Sequence, residues 1–342
     1  MPRDKPVKTD DPTDMPDPDL DTRVPLSRRN FLLFAAGSLA LACSGCEAPH
    51  RAPRIGLALG GGGAKGLAHI QMLEAMDELG IRPHRIAGTS IGAIIGGLYA
   101  AGLSGTDIRA QIEQFFVDEK EAEEKLFALP GSLRWLDFID PVLAAGGLLS
   151  SNDFIDFLGE ILPVHRFRDL EIPLMVVAAE LLTGKAVVLK SGELLPALQA
   201  SMAVPGVFPP VQLDGRELVD GGVANPLPYD LLLPECDIVI AIDVSGNRDF
   251  GDGEELSFIG VLLHSFHTMS NNLVAGKLQH QQPQIYVRPD INNVRVLEFY
   301  KARQIFEQSL PAKQQLGRDL KKALRRYNGR PGCTAPHSKT HF

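Results

Sequence analysis

A basic surplus is the first thing this chain lacks. Its 34 lysines and arginines stand against 42 aspartates and glutamates, a formal net charge of −8. A nucleic-acid binder gains most of its affinity from phosphate neutralisation, and nothing here supplies it. Long hydrophobic runs are missing too, since no uninterrupted apolar segment reaches the roughly 20 residues of a membrane span. Cysteines number four. Two of them, Cys236 and Cys333, lie far apart with no ligand spacing, so neither zinc nor a disulfide framework is indicated. What remains is a 342-residue chain, 44% hydrophobic and 22% charged, with ample material for a large core.

The chain is organised around Arg54 to Gly102. Gly88-Thr89-Ser90-Ile91-Gly92 is Gly-x-Ser-x-Gly. It is preceded by what reads as a short buried strand, His84 to Ala87, and followed by a small-residue helix, Ala93 to Ala101. A serine on so sharp a strand-to-helix turn is held strained with its hydroxyl exposed, and flanking glycines avoid collisions with neighbouring backbone. The helix N-terminus adds partial positive charge where an oxyanion would develop. About thirty residues earlier, the apolar strand Arg54 to Leu59 runs into Gly60-Gly61-Gly62-Gly63-Ala64-Lys65-Gly66, and a helix follows through Leu67, Ile70, Leu73, Met76 and Leu79. This is a parallel α/β unit whose two turns fall at the carboxyl ends of adjacent strands. The glycine loop then brings bare backbone N–H groups beside a nucleophile.

The loop has rival readings. Gly61-x-Gly63-x-x-Gly66 also fits a dinucleotide fingerprint, but that site needs a carboxylate at the end of the second strand. The chain has Ala87-Gly88-Thr89-Ser90 there. A phosphate-cradling P-loop fails because Lys65 is followed by Gly66 rather than Ser or Thr. A nucleotide-binding regulator and a binding protein without turnover stay open as alternatives to an enzyme.

Residues 1–26, rich in Pro and Asp, read as disordered. Ser27-Arg28-Arg29-Asn30-Phe31-Leu32-Leu33 resembles a twin-arginine export signal, and the apolar run from Phe31 to Ala42 has the length of a signal h-region. It ends in Ala42-Cys43-Ser44-Gly45-Cys46, which resembles a lipoprotein cleavage box. Cys46 is favoured for lipidation and Cys43 is the alternative. Residues 1–46 are therefore expected to be a disordered n-region and signal, giving an exported, membrane-anchored lipoprotein.

Gly102 to Leu162 reads as helical, with a cap at Thr106-Asp107, an apolar stretch around Trp135 that suits core, lid or acyl pocket, and a helix from Ser151-Asn152-Asp153 onward. Strands are expected at Leu174 to Ala179, Ala186 to Leu189, Ile238 to Val244 and Ile285 to Val287, with a hairpin about Asp214-Gly215. That hairpin delivers Asp220-Gly221-Gly222. Alone this tripeptide reads as a turn, although an Asp before two glycines can be presented into a site. Lys301 to Tyr327 reads as a long amphipathic helix. His264, His267 and His280 fall in a helical segment without turn signals and read as surface or core. His69 reads as a packing residue and Lys65 as either solvated or electrostatically useful.

Four pieces in order resemble the patatin-like phospholipase family, of the bacterial lysophospholipase and neuropathy-target-esterase type: Gly60 to Gly66, Gly88 to Gly92, Ser201 to Pro210 and Asp220-Gly221-Gly222. The resemblance implies an α/β sandwich, a mostly parallel central sheet with helices on both faces. It implies a hydrolase domain over residues 55–244, leaving 245–342 as a mostly helical extension. It also implies a Ser-Asp dyad, Ser90 as nucleophile and Asp220 as general base. Gly61, Gly62 and Gly63 would form the oxyanion hole, and no metal or cofactor would be needed. The expected substrate is a phospholipid, lysophospholipid or other fatty-acyl ester met at a membrane surface. Acyl transfer to an alcohol would use the same residues. Because a carboxylate is a weak base for serine, Asp220 is expected in an apolar setting that raises its pKa.

Overall fold

Strand pairing in the computed structural model, which describes residues 51–115, 151–246 and 258–327, runs through one eight-stranded mixed sheet. The strands are β1 (Ile55–Leu59), β2 (Arg85–Thr89), β3 (Leu174–Glu180), β4 (Ala186–Leu189), β5 (Val211–Leu213), β6 (Arg216–Asp220), β7 (Ile238–Ile242) and β8 (Ile285–Val287). Their order is β5-β6-β3-β2-β1-β7-β8, with β4 also on β3. Strands β8, β7, β1, β2 and β3 are mutually parallel, and the pairs β3–β4, β3–β6 and β5–β6 are antiparallel.

Parallel strands are buried on both faces, and here the two faces differ in size. Ile55, Leu57, Leu59, Ile86, Ile240 and Ile242 point into the larger core. Ala58, Ala87 and Ala241 line the other face, where Leu227, Tyr229 and Val274 pack. The bulky face carries α1 (Ala68–Glu78) and α2 (Ile91–Ala100), with α3 (Gly105–Phe115) alongside and α4 (Ser151–Ile161) and α5 (Leu194–Ser201) further on. The alanine face lets α6 (Phe258–His280) and the Leu227–Leu232 segment come close.

Ser104 caps α3: its hydroxyl accepts from the Asp107 N–H at 3.1 Å, and Asp107 Oδ2 accepts from the Ser104 N–H at 3.0 Å. This reciprocal pair satisfies two orphan donors at once, so the cap lies earlier than the expected Thr106-Asp107. The last described helix, α7 (Ala302–Arg326), lies along α1 and is tied to it by Ser309 to Gln71 at 3.1 Å and Lys313 to Glu74 at 2.9 Å.

The expected boundary at residue 244 falls between β7 and β8, two strands of the same sheet. β8 pairs with β7, α7 packs on α1, and the described residues from Arg51 onward belong to one compact unit. The signal-like segment with Cys43 and Cys46, the Trp135 stretch and Cys333 lie outside the described residues. Cys236 is a free thiol, half-buried. Among the described residues no helix is long and apolar enough to cross a membrane.

Candidate active site

Two strand ends meet on β3. In β2, Thr89 pairs with Val177; in β6, running the opposite way, Asp220 pairs with Ala178. β4 takes the other edge of β3 at the same residues, Val177 and Ala178, so β2 and β6 share one edge and point at each other end to end. Ser90 follows β2 and Asp220 closes β6. Residues 130 apart in sequence are thus hung from consecutive rungs of one strand.

Ser90 sits at φ 55°, ψ −128°, a left-handed conformation rarely taken by a residue with a side chain, at the N-cap of α2. Strain of this kind costs of order 1–3 kcal/mol and persists only where the surroundings enforce it. Here they do. The Ser90 N–H donates to Ser201 Oγ at 2.9 Å, and Ser201 in turn donates to the Val177 carbonyl at 2.6 Å. Thr89 Oγ1 donates to the Asn225 carbonyl at 2.8 Å. Gly92 lets α2 start against the backbone of β1: a Cβ there would lie 2.2 Å from the Leu59 carbonyl oxygen. At Gly88 it would lie 2.5 Å from Ala93 Cα, and at Gly66 2.2 Å from the Ile91 side chain.

Asp220 is 1% exposed. One oxygen, Oδ1, accepts the Gly222 N–H at 2.6 Å. Burial pushes its pKa up to about 6, and the neighbouring Ser90 hydroxyl and Gly222 amide pull it only partly back. Its other oxygen, Oδ2, is buried and closes no hydrogen bond of sound geometry. Ser90 therefore lies beside the carboxylate without a hydrogen bond to that oxygen. Gly221 fits tightly below, where a Cβ would be 2.2 Å from the Val177 carbonyl oxygen.

A cleft is bounded by Gly61, Gly62, Gly63, Ser90, Asp220 and Gly222. Val204, Phe266, Val274 and Val296 supply an apolar lining. The glycine loop follows β1 and enters a short 3-10 helix, Gly63–Leu67. Its first two amides are committed: Gly60 N–H donates to the Ile242 carbonyl at 3.0 Å and Gly61 N–H to the Pro226 carbonyl at 2.9 Å. Gly61 is thus corrected from oxyanion donor to anchor, because a backbone N–H so engaged cannot also hold an oxyanion. The amides of Gly62 and Gly63 take no acceptor among the described residues. Gly63 has φ 57°, and a Cβ there would strike the Val296 carbonyl oxygen at 2.3 Å.

A second carboxylate, Asp243, also lines the cleft. Both its oxygens are occupied, by the Ser245 N–H at 3.0 Å and the Tyr286 hydroxyl at 2.6 Å. Asp243 is a satisfied structural acid; Asp220 has the open oxygen. His69, fully buried, shares a 2.8 Å hydrogen bond with the Gly60 carbonyl, and desolvation lowers its pKa to about 4, leaving a neutral ring that can donate. It supports the loop from beneath. Lys65, read as solvated or useful, is 4% exposed and donates to the Ser245 carbonyl at 3.2 Å.

His267 departs from the expectation of a surface or core residue. It lines the cleft, shares a 3.1 Å hydrogen bond with Asn271, and is kept neutral by burial, its pKa lowered to about 4. Ser201 opens the Ser201 to Pro210 block but was given no role of its own, and reasoning from sequence missed Asn225, whose only signal is an asparagine five residues after Asp220. Among the described residues no group of three His, Cys, Asp or Glu is placed to hold a metal ion.

Comparison with known proteins adds a family. A model described as patatin-like phospholipase matches residues 57–233. An uncharacterized NTE family protein of Mycobacterium bovis is 36% identical over 197 residues, 57% of this chain and 50% of its own. Lysophospholipase NTE1 of Kluyveromyces lactis is 26% identical over 276 residues, 74% of this chain and 18% of its own. The chain therefore spans half the length of the first relative and less than a fifth of the second. Among solved structures, VipD from Legionella pneumophila superposes with a TM-score of 0.44 at 15% identity, covering 78% of this chain and 67% of that one.

Proposed function

The chain belongs to the patatin-like phospholipase family, and from that membership we propose that it is a serine esterase cleaving fatty-acyl lipids, a phospholipase or lysophospholipase. The observation that carries this reading is the end-to-end meeting of β2 and β6, which sets a strained serine beside a buried carboxylate with one open oxygen. In the proposed reaction Asp220 Oδ2 takes the proton of Ser90, whose Oγ attacks the ester carbonyl. The N–H groups of Gly62 and Gly63, aided by the N-terminus of α2, receive the negative charge of the tetrahedral intermediate. The alcohol portion leaves with a proton, an acyl-enzyme remains on Ser90, and water activated by Asp220 releases the fatty acid. The apolar wall of Val204, Phe266, Val274 and Val296 suits an acyl chain.

The twin-arginine-like segment and the cysteine boxes at Cys46 and Cys43 support export and lipid anchoring as part of the same reading, which places the enzyme at a membrane surface. Metabolic labelling with a fatty acid, lost in Cys46→Ala, would test that part. Activity is tested by hydrolysis of p-nitrophenyl esters and lysophospholipid by the parent, Ser90→Ala and Asp220→Asn, with folding checked by circular dichroism. Turnover by the parent and none by two folded variants is the expected result. A parent inactive on every ester, or Ser90→Ala at the parental rate, sinks the hydrolase reading.

A further inference from the structure

Both halves of the candidate site are gripped by two successive carbonyls of one turn. The carbonyl of Asn225 accepts the Thr89 hydroxyl, next to the nucleophile, at 2.8 Å. The carbonyl of Pro226 accepts the Gly61 N–H, next to the oxyanion amides, at 2.9 Å. The turn is also bonded to the acid's loop, since Asn225 N–H donates to the Gly221 carbonyl at 2.8 Å. A turn that contacts nucleophile strand, glycine loop and acid loop together controls their spacing, and spacing governs rate: a misplacement of about 1 Å can cost about a hundredfold.

What holds the turn is one side chain on α6. Lys277 Nζ donates to Asn225 Oδ1 at 2.5 Å, the Leu227 carbonyl at 2.6 Å and Asp230 Oδ1 at 2.5 Å, which uses all three of its protons. It also lies 4.8 Å from the centre of the Tyr229 ring. Two helical turns earlier, on the same face, Ser270 donates to the Gly222 carbonyl at 3.0 Å. α6 thus fastens both ends of the Gly222–Asp230 segment.

We infer that Asn225–Asp230, locked by Lys277, is the positioning element that fixes the glycine-loop amides against Ser90. Lys277 and Asn225 are positioning residues that act through the backbone of Thr89 and Gly61. The inference rests on the ester-hydrolase reading, and its test separates the two. In the full chain, Thr89→Val removes one hydroxyl at constant shape, Thr89→Ser restores it, and Lys277→Met unlocks the turn. On a p-nitrophenyl ester, Thr89→Val and Lys277→Met lower kcat about ten- to a hundredfold with KM changed less than about twofold. Thr89→Ser recovers most of the loss. Hydrogen exchange gives a readout independent of turnover: the glycine-loop peptide exchanges faster in Lys277→Met. Parental kcat in folded Thr89→Val and Lys277→Met, or unchanged exchange of that peptide, overturns the inference. If the parent itself cleaves no ester, the hydrolase reading falls, and the exchange measurement alone decides whether the turn holds the loop.

Discussion

Replacing Asp220 by Asn stabilises the protein at neutral pH while it stops turnover. The carboxyl is almost fully buried, and burial raises its pKa from 3.8 to about 6. A raised value means that the folded state holds the proton more tightly than the unfolded chain does. Between about pH 4 and pH 6 the native protein carries the extra proton, so stability falls as pH rises through this window, and the full penalty is present above it. The shift corresponds to roughly 3 kcal/mol, at 1.36 kcal/mol per tenfold change in protonation. Asparagine cannot ionise and keeps an oxygen for the Gly222 N–H. Urea unfolding of parent and variant at pH 4 and pH 8 isolates this group from every other titration. The expected gap is near zero at pH 4 and about 2–3 kcal/mol in favour of the variant at pH 8. The parent's kcat/KM rises about tenfold per pH unit below 6 and levels above it, as the free base becomes available. A variant no more stable than the parent at pH 8, or a rate flat from pH 5 to pH 8, refutes the reasoning.

Three further outcomes follow from the same geometry. Ser90→Gly abolishes ester hydrolysis yet raises the unfolding free energy by about 1 kcal/mol, because glycine accepts the φ of 55° without strain; chemical denaturation reads it. Ser201→Ala leaves the buried Ser90 N–H and Val177 carbonyl without their shared partner, costing about 1–3 kcal/mol in stability and lowering kcat. His69 is buried neutral with its pKa lowered to about 4, so the unfolded chain protonates first as pH drops below 6.5 and stability is lost. Between pH 7 and pH 5 the parent should lose about 2 kcal/mol more than His69→Gln, measured by thermal or urea unfolding.

Local patterns were legible where one stretch of chain decides its own structure. The apolar run Ile55–Leu59, the glycine loop, the elbow at Ser90 and the hairpin at Asp214-Gly215 each carry their turn chemistry within a few residues, and each folds accordingly. Asp220 was different. Its tripeptide reads as a turn, and only the family resemblance lifted it to a candidate, because its importance comes from pairing with Ala178 and not from its neighbours in sequence. The same cause hid the roles of Ser201, Asn225 and Lys277, which act across 111, 136 and 52 residues. Lys65 shows the limit from another side. A lysine in a polar glycine loop suggests solvent, yet the return of the chain past Ser245 buries it. Gly61 was misassigned because sequence cannot say which amides of a loop are already spoken for; the Pro226 carbonyl arrives from 165 residues away.

Because Ser90 and Asp220 are both measured off the backbone of β3, that strand serves as a ruler for the proposed reaction. The span between Ser90 and Leu174 can lengthen or shorten without altering where the two groups meet, provided that it returns to its rung. The span between Glu180 and Arg216 can do so if it also keeps Ser201 on the Ser90 N–H. Variation in chain length, whether inherited or engineered, is thereby decoupled from the chemistry. Such a scaffold can be refitted for new substrates by rewriting the excursions while Val177 and Ala178 keep the gauge.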